Sequence, residues 1–225
     1  MAGSTNHWYA RMHITHQLVT CPRLHGISPD APDGSRTRGA SFLRDVSPVA
    51  ILAISGSLRR TSANTAVLRA AAALAAAEGI PLELDDAVRS LPHFDPDLET
   101  ERPPLVTAFD AACVAAPGVL ISVPEYAHGI PGAFKNALDW TVGSGSLYGK
   151  PVAVLDVAPP GRGGYVREAL DHVFAAMQSD VVRYDVPIAA ADRDADGEIV
   201  GADATAALRA AVVDFAVRIG LRVPA

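Results

Sequence analysis

Apolar residues in this chain gather into short unbroken runs, and between the runs lie longer stretches where they recur at helical spacing among alanines and charged residues. The clearest run is Val49-Ala50-Ile51-Leu52-Ala53-Ile54, joined further along the chain by Gly118–Val123 and Pro151–Val157. A strand buried on both faces has no side to show to water, so it reads as a continuous apolar run rather than an alternation. These three segments, the first continuing to Ser55, are therefore predicted as central strands. Pro81-Leu82-Glu83-Leu84-Asp85 alternates instead, which predicts a short strand away from the centre, and Asp180–Val186 supplies a fifth. Helices are predicted over about 62–79, 104–115, 131–142, 165–177 and 202–219, with Gly79 as a stop and Pro131 at a first helical position. Strands and helices in strict alternation predict an α/β protein: a doubly wound parallel sheet of five strands in the order 2-1-3-4-5, with helices on both faces.

Residues 1–47 lack this periodicity. Prolines, glycines, serines and five arginines against three acids read as a disordered, dispensable extension, with residues 48–225 forming a single domain. The extension has no apolar core of a secretory signal, although its arginine-rich, acid-poor makeup faintly resembles a transit peptide. His13, His16, Cys21 and His25 match no standard zinc spacing, and no metal is expected. At 225 residues and 49% hydrophobic, the chain can bury one substantial core. A net charge of −6 offers no footprint for nucleic acid or for anionic membranes, and no apolar stretch approaches bilayer length. Two cysteines, Cys21 and Cys113, make no disulfide framework, and Cys113 falls in a helical segment as a buried thiol. A reducing cytoplasm fits that cysteine usage.

Chemistry concentrates where strands pass into helices. Ser55-Gly56-Ser57-Leu58-Arg59-Arg60-Thr61-Ser62-Ala63-Asn64-Thr65 leads from strand 1 to helix 1. A helix N-terminus presents unpaired N–H groups and a positive dipole end, and the hydroxyls with Arg59 make a nest for a phosphate monoester. The same residue types also cap helices and form turns, so the loop admits both readings. It matches neither the nucleoside-triphosphate loop nor the dinucleotide fingerprint. In an open sheet of this order the ligand crevice lies between strands 1 and 3, so the loop after strand 3 should hold the rest of such a ligand. That loop is Pro124-Glu125-Tyr126-Ala127-His128-Gly129-Ile130-Pro131-Gly132, stiffened at both ends and carrying a ring that can pack on a planar heterocycle. On the same edge, Ala158–Tyr165 contains Gly161, Gly163 and Gly164 beside Arg162. Its glycines permit close approach of backbone to a flat ring and equally suit a simple turn.

Here the chain resembles a known family. Ser55–Thr65 is similar to the G-S-L-R-x-x-S-x-N loop of the NAD(P)H-dependent FMN reductases, and Pro124-Glu125-Tyr126 with Pro131–Trp140 is similar to their P-E-Y-N-x-x-x-P-G-x-L-K-N-A-x-D-W block. The two blocks stand about 60 residues apart, and the resemblance covers about residues 49–220. It implies a flavodoxin-like fold, bound FMN and NAD(P)H as co-substrate. It also implies phosphate contacts from Ser57, Arg59, Ser62, Asn64 and Thr65, and a lining of the flavin by Pro124, Glu125 and Tyr126 with His128 nearby; Gly161 and Gly163 join the set from the third loop. Two departures stand out: Ala127 replaces the family's asparagine and Gly129 its serine.

The activity that the resemblance implies is a two-step exchange. NAD(P)H reduces bound FMN and leaves, and a quinone, free flavin or metal oxyanion takes its place. No protein acid or nucleophile is required for it, and His128 is the one candidate proton donor. Lys135 and Asp139 read as an ion pair on one helix face rather than as catalysts, and Trp140 as a packed ring. The alternatives are an FMN electron carrier of flavodoxin type and a catalytically silent flavin-binding regulator. Members of the family form homodimers or homotetramers, and the end of helix 3 with Trp140 is an expected contact.

Overall fold

The computed structural model describes residues 50–223. The expectations for residues 1–47, including the cluster of His13, His16, Cys21 and His25, lie outside the described residues. Five parallel strands, β1 (Ile51–Ser55), β2 (Leu82–Asp85), β3 (Val119–Ser122), β4 (Pro151–Asp156) and β5 (Asp180–Asp185), form one sheet in the order β2-β1-β3-β4-β5. The central three are the unbroken apolar runs: Ile51 to Ile54, Val119 to Ser122 and Val152 to Leu155 are all buried. β2 and β5, whose sequences are interrupted by charge, take the edges.

Successive side chains of a strand point to opposite faces, so each central strand feeds two cores. Ile51, Ala53, Leu120, Ala153 and Leu155 face α1 (Ala63–Ala77) and α5 (Ala202–Arg218), meeting Val67, Leu68, Leu208 and Phe215. Leu52, Ile54, Val119, Ile121, Val152 and Val154 face α2 (Pro104–Ala115), α3 (Gly132–Ser144) and α4 (Gly164–Ala176), meeting Phe109, Phe134, Leu138 and Phe174. This is the doubly wound, flavodoxin-like arrangement expected from the sequence. The winding reverses at β1, which pairs with β2 on one side and β3 on the other, and the crevice between the β1 and β3 loops lies at that switch point.

Helix ends differ slightly from the sequence reading. Pro131 stands just before the first helical residue of α3, and that helix runs on to Ser144, where Gly145 at φ 69° ends it. Gly79 at φ 68° follows α1 as expected. One expectation is corrected outright. Trp140 offers no surface for a contact with another chain, because it is fully buried within its own fold. Its indole Nε1 donates to the Pro92 carbonyl at 2.9 Å, Phe94 meets its edge at 5.0 Å, and the Arg102 guanidinium lies 6.0 Å from its ring centre. Asn136 works beside it, donating to Pro92 and accepting from Phe94 N. The K-N-A-L-D-W segment therefore pins the proline-rich 91–97 loop, and Lys135 pairs with Asp139 at 2.5 Å as read from the sequence. Among the described residues, no helix is long and apolar enough to cross a membrane.

Candidate functional site

The loop after β1 is organised by a residue the sequence reading passed over. Ser55 Oγ lies 2.8 Å from Thr65 Oγ1, accepts from Ser57 N at 3.2 Å and reaches the Ser57 carbonyl at 3.3 Å. One hydroxyl at the end of β1 thereby joins both ends of the loop. Ser57 Oγ in turn accepts from Arg59 N at 3.3 Å. Beneath the turn, Gly56 is needed for close approach: a Cβ there would sit 2.7 Å from Val123 Cγ1 and 3.0 Å from its Cα.

At the start of α1 the donors are left open. Ser62 stands at the N-cap, nearly buried, and its side chain makes no capping bond. Among the described residues, the N–H groups of Ala63, Asn64 and Thr65 find no acceptor, and the first intrahelical bond runs from Ala66 N to the Ser62 carbonyl. The Arg59 and Arg60 side chains are exposed beside this end. Three open N–H groups, an unbonded Ser62 hydroxyl and two cations form a donor set suited to a phosphate monoester. A merely capped helix would have turned Ser62 onto its own backbone, which it does not do here.

Asn64 and Thr65 contribute through the backbone rather than their side chains. The Asn64 side chain turns inward, where Ser122 Oγ lies 2.9 Å from its Oδ1 and 2.9 Å from the Leu155 carbonyl. A single hydroxyl proton cannot serve two acceptors; with the Asn64 amide turned about, its NH2 donates to Ser122, whose proton then goes to Leu155. Either way Asn64 ties α1 to β3 and β4. The Thr65 hydroxyl is engaged with Ser55.

The loop after β3 forms a tight reverse turn. Tyr126 N donates to the Gly129 carbonyl at 3.1 Å, and Gly129 N donates to the Tyr126 carbonyl at 3.0 Å. Ala127 and His128 both take left-handed backbone, at φ 48° and φ 58°. Two successive left-handed residues make a turn that favours asparagine and glycine, so the departure at Ala127 falls on a strained position. Tyr126 projects from the turn, about half exposed.

Glu125 does not point to open space. Its Oε2 accepts from Tyr165 N at 3.0 Å and Val166 N at 3.3 Å, capping the first turn of α4. The His128 ring stacks on Tyr165 at 4.1 Å, with an interplanar angle of 17°. These two contacts tie the β3 loop to the β4 loop, where Gly161 and Gly163 adopt φ 78° and 79°. Gly161 faces open space, while a Cβ on Gly163 would lie 3.0 Å from Ala158 Cβ. Arg167, bonded to Asp156, supports the underside of this turn, and that hydrogen bond raises its pKa above the ordinary arginine value. Pro124 leads out of β3, half-buried beneath the turn. Among the described residues, no group of three or more metal-ligating side chains comes together.

The three loops thus share one sheet edge, with open helix N–H groups at β1 and two tight turns beside them. A sequence model of the NADPH-dependent FMN reductases matches residues 49–193. Over 118 residues the chain is 42% identical to a probable NADPH:quinone oxidoreductase 2 of Oryza sativa subsp. japonica, a match covering 51% of this chain and 58% of that protein. It is 30% identical over 164 residues to a 2-hydroxy-1,4-benzoquinone reductase of Burkholderia sp, covering 68% of this chain and 86% of that one. Among solved structures it resembles FerB, a flavoenzyme NAD(P)H:(acceptor) oxidoreductase from Paracoccus denitrificans, at a TM-score of 0.61 and 28% identity. That superposition covers 76% of this chain and 96% of FerB. The fold defines a flavodoxin-like protein, with open helix N–H donors at the β1 end of its sheet edge. The chain belongs to the NADPH-dependent FMN reductase family.

Proposed function

We propose that this protein is an oxidoreductase that binds FMN, takes reducing equivalents from NAD(P)H and passes them to a small acceptor such as a quinone, a free flavin or a metal oxyanion. The observation that carries the reading is the uncapped N-terminus of α1, with the Ser62 hydroxyl and the Ala63, Asn64 and Thr65 N–H groups left open beside Arg59. Ser57, Arg59 and Ser62 hold the phosphate with those backbone donors, while Asn64 and Thr65 fix the cradle from inside. FMN, when bound, supplies hydride acceptance and two-electron delivery.

The chain's part is to position. Pro124 and Tyr126 border the ring, and Glu125 locks the β3 turn to α4 so that both turns meet the ring as one rigid surface. Gly161 and Gly163 leave its other edge free of side chains. The His128 ring is engaged with Tyr165, so its place here is to brace the turn rather than to donate a proton. Residues 48–225 are taken as a single FMN-binding domain, residues 1–47 as a dispensable extension, and the protein as a cytoplasmic homodimer or homotetramer.

The test is anaerobic mixing of FMN-loaded protein with NADPH and with NADH, followed by reoxidation with benzoquinone, free FMN or chromate. Bleaching of the flavin band by a nicotinamide alone, with recovery on adding an acceptor, is the expected result. Protein that takes up no FMN, or flavin that stays oxidised without a separate reductase, would overturn it, the second outcome marking an electron carrier.

A further inference from the structure

Two arginines from distant parts of the chain grip the outside of the β1–α1 loop. Arg89, in the 3-10 turn after β2, donates from Nη2 to the Leu58 carbonyl at 2.7 Å. Arg193, beyond β5, donates from Nη2 to the Thr61 carbonyl at 2.8 Å. A trans peptide directs its carbonyl and its N–H to opposite sides. Drawing the carbonyls of residues 58 and 61 toward the guanidinium groups keeps two acceptor oxygens from facing an anion, while the N–H groups of the same peptides are held inside the loop, Arg59 N by Ser57 Oγ and Ser62 N by the Arg59 carbonyl.

Arg193 has a seat built for it. Its Nε donates to the Gly197 carbonyl at 3.0 Å, and a Cβ on Gly197 would stand 2.6 Å from Arg193 Nη2. Gly197 closes a short turn in which Asp194 N donates to the Glu198 carbonyl and Arg193 bridges Ile199. Glu198 anchors that turn to α1 through two bonds to Arg69, at 2.6 and 3.2 Å. Among the described residues, neither Arg193 nor Arg59 has a carboxylate within ion-pair distance. Both line one cleft of about 330 Å³ at the side of the loop, which Asp194 and Asp196 line as well. A surface arginine fixed on two carbonyls, with Gly197 at φ 86° closing the turn that carries it, is more than a solvated charge.

We infer that Arg193, seconded by Arg89, is a positioning residue for the flavin phosphate: by holding the outer carbonyls of the β1–α1 loop it keeps the loop in the shape that meets the anion. The inference rests on the FMN reading above. It separates from general stability through the ligand, because riboflavin shares the ring and ribityl chain of FMN and lacks the phosphate.

The experiment is a fluorescence titration of wild type, Arg193→Ala, Arg193→Lys and Gly197→Ala with FMN and with riboflavin, alongside thermal unfolding of each protein without ligand. Loss of the charge-assisted bond that holds the Thr61 carbonyl predicts FMN affinity reduced about tenfold to a hundredfold in Arg193→Ala, with riboflavin affinity within about twofold of wild type. Arg193→Lys restores part of the loss, since it returns the charge without the two-donor fork. Gly197→Ala keeps the arginine but displaces it, and it lowers FMN affinity selectively as well. Equal loss of both flavins, or unchanged FMN affinity in Arg193→Ala, overturns the assignment. Wild-type protein that binds neither flavin overturns the FMN reading itself, and the clamp with it.

Discussion

Ser62 is the residue at which the two possible explanations of the first loop diverge. A serine that caps its own helix is worth about 1 kcal/mol of stability, and its replacement by alanine costs that much. Here the side chain makes no such bond. Ser62→Ala is therefore expected to leave the ligand-free protein's unfolding free energy within about 0.5 kcal/mol of wild type, as for a neutral substitution. FMN affinity should nonetheless fall several-fold, as a titration would show. A full capping cost without ligand would return the loop to the structural reading. Ala127 makes the converse case. At φ 48° an alanine is strained in a backbone that asparagine and glycine adopt readily. Ala127→Gly or Ala127→Asn should raise stability by about 1 kcal/mol, seen as a higher midpoint in urea unfolding. No change would mean that the turn relaxes elsewhere.

At the scale of elements, what matters is how the loops are tied to one another. Glu125 leaves the β3 turn to satisfy the first N–H groups of α4. A carboxylate at a helix N-terminus contributes about 0.5 to 1 kcal/mol, which Glu125→Gln should largely remove. Hydrogen exchange should then quicken at Tyr165 and Val166, while protection in β1 and β3 stays as it was; uniform loosening would contradict a local tie. Gly56 acts at the same scale. With Val123 backbone 3.0 Å from the position a Cβ would take, Gly56→Ala must push β1 and the β3 exit apart. A loss of about 1 to 3 kcal/mol is expected, measured by denaturant unfolding.

Across the molecule, burial couples stability to pH. Cys113 is wholly buried in the face shared by α2, α3 and α4, and burial pushes its thiol up from 9.0 to about 12. In the unfolded chain the thiol loses its proton near pH 9, whereas the folded chain keeps it to about pH 12. The native state thus binds more protons between these values, and stability must fall as pH rises through that window. Cys113→Ala should flatten that decline in urea unfolding between pH 8.5 and about 11. The native thiol should also resist alkylation at pH 8 until the protein is unfolded, as peptide mapping would show.

Strand positions, their central or edge rank and the five helices were legible in the amino-acid sequence because burial on both faces demands unbroken apolar runs, and helical periodicity survives in composition. The doubly wound class followed from the alternation of the two, and the three loops were found because glycine, proline and hydroxyl residues gather where strands meet helices. Side-chain direction was not legible. That Asn64 turns to Ser122, that Glu125 caps α4 and that Trp140 is sealed inside its own fold are contacts between residues 40 to 60 positions apart, fixed only when helices settle on the sheet. Arg193 reaches Thr61 across 132 positions, from a turn with no motif to mark it. Residue type sets which bonds a side chain can make; packing sets which of them it does make, because the partner arrives only through the fold.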